Sequence, residues 1–392
     1  MTGMAVVIVW SAAVAALLLM LCIVSEAVAR FFMARSKYYV WPPYFCIENH
    51  LIEDVFPGLA SEAVLRINSE GERGSEPPRS RDGLYRILVI GGSAAECYFL
   101  DQEACWSMRL QRSLNIPVAR RTLNATRVHV GSVAKSGIDC AKSSLVLRRI
   151  FRQHEKINTV VMMIGAAEVV SWLRNGAPEH PEIVEPGALE VFESSPEMRF
   201  AWFPLKRTAL IEFFRTFDRR FFRQELRRSD VGASVARLRI MRQQAQTIKS
   251  KVPTPTVMLN NFAKSLEACI KICQEAGARV LVVAQPWLDT NYLAGEEKSR
   301  LWFGAEGDPH KQSVSTYYSA DVFSLLMMQV NSVAARVAQE NGTEIVQIQN
   351  RLQPPAACFY DDAHFTPYGA AIVADILTSA VLQHSQAIPS EK

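Results

Sequence analysis

Two short stretches hold residue types that together make a nucleophile and its base. A serine follows two glycines at Ile90-Gly91-Gly92-Ser93. An aspartate precedes a histidine by three residues within Phe359-Tyr360-Asp361-Asp362-Ala363-His364-Phe365-Thr366-Pro367-Tyr368-Gly369. A small-residue turn between a strand and a helix bends the backbone sharply. It exposes the serine hydroxyl at the carboxyl end of the strand, beside a helix N-terminus that favours negative charge. An Asp-x-x-His on a loop ahead of a helix sets a carboxylate against one ring nitrogen and turns the other towards a nucleophile. Each pattern is common by itself; a Gly-Gly-Ser turn is most often structural, and Asp-x-x-His arises readily by chance.

The elements around them decide whether they can meet. Five short apolar runs, 86–90, 127–130, 159–164, 279–284 and 344–348, alternate with helical patterns over about 103–115, 139–153, 257–276, 320–340 and 367–383. Continuous Val/Ile/Leu runs suit parallel strands buried on both faces, and their alternation with helices predicts an α/β, flavodoxin-like doubly wound sheet. Ligands of such sheets lie at the carboxyl ends of the strands. Ser93 follows the first run and His364 the last, so both fall at that end. A long stretch, about 172–259, interrupts the alternation. Within it Phe213, Phe214, Phe217, Phe221 and Phe222 lie among Arg215, Arg219, Arg220, Arg223, Arg227 and Arg228. At helical spacing this makes an apolar face beside basic ones. It suits a lid helix packed on the domain, or an interfacial helix on anionic lipid or an acidic substrate.

Four segments in order carry a resemblance: Gly91-Gly92-Ser93, Ser136-Gly137 after the second run, Ile164-Gly165-Ala166-Ala167-Glu168 after the third, and Asp361-x-x-His364. They match the order of the four blocks of the SGNH/GDSL hydrolase superfamily over about residues 85–385, and the chain resembles a membrane-anchored bacterial member. The resemblance implies Ser93 as nucleophile, His364 as base and Asp361 as its orienting acid. It implies oxyanion donors at the Ser93 and Gly137 amides. The family's third donor is an asparagine in block three, where this chain has Ala167. Losing one preorganised oxyanion donor costs about 10²–10³ in turnover. The expected replacement comes from the inserted stretch, through Arg174 or Asn175. The implied activity is that of a serine esterase or O-acyltransferase on acylated carbohydrate or lipid at the bacterial envelope. The alternative is a catalytically degenerate domain that binds a glycan or a protein. The implied partners are an acyl-ester or glycan substrate, and the implied chemistry uses no metal or organic cofactor.

Bulk composition agrees with a packed enzyme-sized domain. Of 392 residues 49% are hydrophobic and 21% charged, so a core can be buried. The net charge of +4 with scattered basic residues gives no reason to expect nucleic acid. Eight cysteines show no zinc spacing and are read as free thiols. From Met4 to Ser25 there is no charge, a length that spans a bilayer core at about 1.5 Å per residue. Residues 1–30 are therefore read as a transmembrane anchor. Ala27-Val28-Ala29 keeps a cleaved signal peptide as the rival. Residues 31–84 are expected to form a juxtamembrane stalk and loop, so that removing everything before Ser69 leaves a soluble folded domain. Residues 386–392 form a tail. Arg30, Arg35 and Lys37 after the span favour a cytoplasmic domain by the positive-inside rule, as do the cysteines. The resemblance favours the periplasmic side of a single-pass inner-membrane protein, and that side is the expectation.

Overall fold

A computed structural model gives the structure, and it describes residues 2–34, 39–154, 156–182, 185–192, 208–221, 227–229, 232–290, 293 and 295–385. The tail, 386–392, and Phe222 and Arg223 of the basic-aromatic stretch lie outside the described residues.

Helix α1 (Thr2–Ala34) is followed by strands β1 (Cys46–His50) and β2 (Glu62–Arg66), then by β3 (Leu84–Gly91). A single turn α2 (Ser93–Glu96), α3 (Trp106–Leu114) and α4 (Pro117–Thr122) precede β4 (Arg127–Ser132). Next come α5 (Cys140–Gln153), β5 (Thr159–Ile164) and α6 (Ala166–Arg174). The inserted stretch holds α7 (Ala188–Val191), α8 (Ala209–Phe221), β6 (Arg227–Ser229), α9 (Gly232–Gln243) and β7 (Thr247–Lys249). Then follow α10 (Thr256–Glu275), β8 (Arg279–Ala284), α11 (Gly295–Lys298), β9 (Thr316–Tyr318), α12 (Ala320–Glu340), β10 (Glu344–Val346), α13 (Pro355–Cys358) and α14 (Pro367–Ser385).

The central sheet runs β10-β8-β5-β3-β4 with every neighbouring pair parallel. Numbered within the sheet this is the 2-1-3-4-5 order of flavodoxin-like doubly wound folds. Alternate side chains serve two cores, because Cβ atoms alternate across a strand. Leu88, Ile90, Val160 and Met162 pack with Val146 of α5, Leu266 of α10 and Val330 of α12. Ile87, Val89, Val161 and Met163 pack on the other side with Trp106 and Leu110 of α3 and Leu377 of α14. All six residues of β5 are buried, as a strand covered on both faces requires. Each of the five apolar runs in the sequence becomes one of these strands.

The segment expected to be a stalk is different. From Val40 onward it is folded into the domain. β1 and β2 form an antiparallel pair, and β6 of the inserted stretch joins β1 in parallel. Trp41, Ile47, Leu65 and Ile67 belong to the core shared with α5 and α10, and Trp41 Nε1 donates to Ala134 O at 3.1 Å. The Pro-Pro pair and polar residues of this segment concealed those contacts, which are made to residues far along the chain. A chain starting at Ser69 is thus expected not to fold, because each lost buried side chain of this size is worth about 1.5–3 kcal/mol against a total stability of about 5–15 kcal/mol. A chain starting at Tyr39 is expected to keep a cooperative melt. Thermal unfolding followed by circular dichroism on both checks this; a folded Ser69 chain would overturn it.

Among the described residues one helix segment, Val6–Phe31, is long and apolar enough to cross a membrane, with mean hydropathy 2.8 and an exposed surface.

Candidate active site

The turn after β3 is forced to be small. A Cβ on Gly91 would run into the Met163 carbonyl and the Ala95 side chain, so only glycine lets β3 and β5 approach while the chain turns into α2. Ser93 opens α2 at the carboxyl end of β3. Gly137 lies in the loop after β4, in the left-handed region at φ +78°, and a Cβ there would meet nothing within 4 Å. The strain of the backbone conformation, rather than crowding, selects glycine. Ala167 lies in the first turn of α6, after β5. His364 sits between β10 and α14. Ser93, Gly137, Ala167 and His364 all line one cavity of about 540 Å³.

Asp361 and His364 are tightly paired. His364 Nδ1 is 2.8 Å from both carboxylate oxygens of Asp361. Asp361 Oδ1 also accepts the amides of Ala363 (3.1 Å) and His364 (3.0 Å), and Oδ2 accepts the Trp302 indole N–H at 2.9 Å. A carboxylate so placed favours the tautomer with the proton on Nδ1 and leaves Nε2 as the acceptor. Burial by itself would raise the Asp361 pKa, but the charge of His364 and the hydrogen bonds from His364, Trp302 and Ala363 hold it below the usual value. Burial would lower the His364 pKa, and the charge and hydrogen bond of Asp361 outweigh that and raise it. Asp362 takes another part. Its Oδ2 accepts the Trp302 and Phe303 amides at 2.8 and 3.1 Å, and burial pushes its carboxyl up to about 6.

Aromatic rings fix the imidazole in place. Tyr360 and Trp302 stack on it with centroids at 5.6 and 6.4 Å, each inclined by 15°, and Phe303 meets it edge-on at 5.7 Å. Ser93 faces the same cavity, and no hydrogen bond joins it to His364 among the described residues. Such contacts are often long before substrate binds.

Several positioning residues were not foreseen from the sequence. Glu96, three residues after Ser93, is buried and accepts the Ser136 amide at 2.7 Å and the Ser136 hydroxyl. This couples the serine turn directly to the loop of Gly137. Arg73, also buried, donates to the carbonyls of Glu96, Cys97 and Leu100 and holds the far end of that turn. Arg239 of α9 donates to Tyr360 O at 2.9 Å and to Val55 O, so the inserted stretch braces the histidine loop. Only an Asp-x-x-His-like local spacing is visible in a sequence; the contacts of these three residues cross from 23 to 184 positions.

Of the residues expected to replace the missing amide, Arg174 lines the cavity, whereas Asn175 donates its side chain to Ser171 O at 3.0 Å. Ala167, Ser171 and Arg174 line one face of α6, spaced by four and three. Helical side chains lean towards the N-terminus, so Ser171 and Arg174 point back along the face that carries Ala167. Arg174 Nη1 is 3.9 Å from Asp308 Oδ1. Glu168, beside Ala167, accepts the Cys140 amide at 2.6 Å, and burial followed by the charge of Asp139 pushes it up to about 7.

Among the described residues two groups of three ligand-type side chains lie outside this cavity: Glu48, His50 and Glu62, and Glu70, Glu72 and His154. In the second, the Arg86 guanidinium already bridges Glu70 and Glu72, so a protein cation occupies the place a metal would take.

No family model matches the chain, and no curated protein matches it. Solved structures are similar at low identity. They include an α/β hydrolase enzyme from the metagenome of Lake Arreo, Spain, at 13% identity and TM-score 0.40, covering 78% of this chain and 97% of that one. An acetylxylan esterase from Geobacillus stearothermophilus aligns at 13% identity and TM-score 0.39, covering 76% and 94%. A lipase/acylhydrolase from Enterococcus faecalis aligns at 11% identity and TM-score 0.37, covering 76% and 96%. At these identities and scores the likeness carries no activity to this chain.

Proposed function

We propose that the protein is a serine ester hydrolase or acyltransferase of the SGNH/GDSL type, with Ser93 as nucleophile, His364 as base and Asp361 as orienting acid. The observation that carries this reading is the Asp361–His364 pair, satisfied on Nδ1, opening onto the cavity that Ser93 shares. His364 Nε2 takes the Ser93 proton as Oγ attacks the ester carbonyl, and Asp361 stabilises the imidazolium. The oxyanion is received by the Ser93 and Gly137 amides. Collapse expels the alcohol, which takes the proton from His364. Water or an acceptor hydroxyl then attacks the acyl-enzyme through the same base and releases the acid or a new ester. The substrate is an acylated carbohydrate or lipid of a bacterial envelope, an assignment supported by the membrane-length helix α1 and by the aromatic and cationic lining of Tyr98, Phe99, Trp302, Lys142 and Arg174.

Ala167 supports a second reading, a domain that binds such a ligand without turning it over. Restoring the amide with Ala167→Asn separates the two when ester turnover is measured. A rise of about 10-fold or more would mean that the oxyanion site lacks a donor, since one such donor is worth up to about 10³-fold. An active wild type that Ala167→Asn leaves unchanged or impairs would mean that Ser171 or Arg174 supplies it. No turnover in either form would favour the binding reading.

A further inference from the structure

The exposed apolar ridge of α8 and the end of α1 belong to one device. Phe213, Phe214, Phe217 and Phe221 are 48%, 59%, 45% and 55% exposed, so the expectation of a lid helix with its phenylalanines packed on the domain is not met. At 3.6 residues per turn these four fall within an arc of about 100°. Burial is confined to the start of the helix, where Thr208, just before it, and Ala209, its first residue, are 8% and 7% exposed. Isolated exposed phenylalanines are unremarkable; four on one stripe mark a surface that something apolar covers.

What lies next to that stripe is the membrane-length helix. Glu26, near the end of the Val6–Phe31 segment, is buried and accepts the first amides of α8, Ala209 N at 3.0 Å and Leu210 N at 2.9 Å. The same carboxylate is paired with Arg30 at 2.6 Å. It therefore caps α8 from a different helix, at the place where amides lack partners within their own helix. A carboxylate at the edge of an apolar span is stable only when satisfied in this way. From the other side, Arg220 lies over the Tyr44 ring at 5.5 Å, and β6, which follows α8, pairs with β1. The stretch 209–228 carries six arginines against three acids. An amphipathic helix with phenylalanines on one face and arginines beside it is the type that lies in the headgroup layer of an anionic bilayer.

We propose that α8 lies in the interfacial layer of the bilayer that α1 crosses, docked on anionic lipid by its phenylalanine stripe and held at that depth by Glu26. The proposal is independent of the hydrolase reading. It also bears on the signal-peptide alternative: cleavage after Ala29 would remove Glu26, Ala29 and the cap on α8, all of which are buried parts of the fold.

The test uses the full chain in bilayer nanodiscs of phosphatidylcholine with and without phosphatidylglycerol. A fluorescent amino acid is placed singly at position 18 in the span, at 214 on the stripe or at 118, an exposed position on α4, and nitroxide-labelled lipid is the quencher. Positions 18 and 214 are expected to be quenched several-fold more than 118, with 214 rising further when phosphatidylglycerol is present. In Glu26→Ala the signal at 214 is expected to fall towards that at 118 while 18 stays quenched. A probe at 214 no more quenched than at 118 would overturn the membrane surface, whether water or a protein covers the stripe. An unchanged 214 signal in Glu26→Ala would overturn the clamp. Loss of quenching at 18, or a purified chain beginning after Ala29, would overturn both.

Discussion

Ser93→Ala is expected to abolish covalent capture of a fluorophosphonate and to lower ester turnover by as much as about 10⁶-fold, the effect of removing the nucleophile from a complete triad. Another serine of the same cavity, Ser136 in the loop of Gly137, already gives its hydroxyl to Glu96. Ser136→Ala is therefore expected to remain labelled, which separates a nucleophile from a serine that merely lines the cavity. The change at Ser93 itself removes one atom from a half-buried position, so thermal stability should move little. Intact-mass spectrometry reads the adduct directly and needs no knowledge of the natural ester. Labelling that persists in Ser93→Ala would place the nucleophile elsewhere. A wild-type chain that neither takes the label nor turns over any ester would remove the hydrolase reading and leave the binding one.

Asp361→Asn is expected to lower turnover by about 10⁴-fold while the domain stays folded. The carboxamide can still accept the Ala363 and His364 amides through its oxygen. Its NH₂ then faces Nδ1, which drives the imidazole into the tautomer with the proton on Nε2 and removes the base. The charge of Asp361 is also what holds the His364 pKa above its ordinary value. A base works only when neutral, so wild-type kcat/KM should fall as pH drops through a pKa above about 6.5, the usual imidazole value. In Asp361→Asn the residual acid limb should move to lower pH. Asp362→Asn is the contrast: its charge raises the His364 pKa less than that of Asp361, and its Oδ2 supports the backbone of Trp302 and Phe303, so the main expected effect is on stability and KM, with a smaller shift of the acid limb. A profile that moves with Asp362 and not with Asp361 would reverse the assignment.

The sequence by itself determined the sheet and the spacing that pairs Asp361 with His364. Runs such as 159–164 are apolar at every position because a parallel strand is covered on both faces, and this can be read without any tertiary contact. Their alternation with helices fixes the ends at which Ser93, Gly137, Ala167 and His364 stand. The pairing of Asp361 with His364 is local, three residues along one loop, so spacing alone exposed it. Where the contact is not local, the sequence was silent or misleading. Residues 31–84 read as a stalk and loop because their prolines and polar residues look solvent-facing, yet Trp41, Ile47 and Leu65 are buried by partners from α5 and α10. Glu96, Arg73 and Trp302 carry no periodic signal, since each satisfies a buried group on a different element. The phenylalanine stripe of α8 was visible as a stripe, but its direction was not. Amphipathicity states only that two faces differ. Which face turns outward is decided by what the helix is fastened to, here Glu26 of α1, and that contact exists only once the chain has brought positions 26 and 209 together.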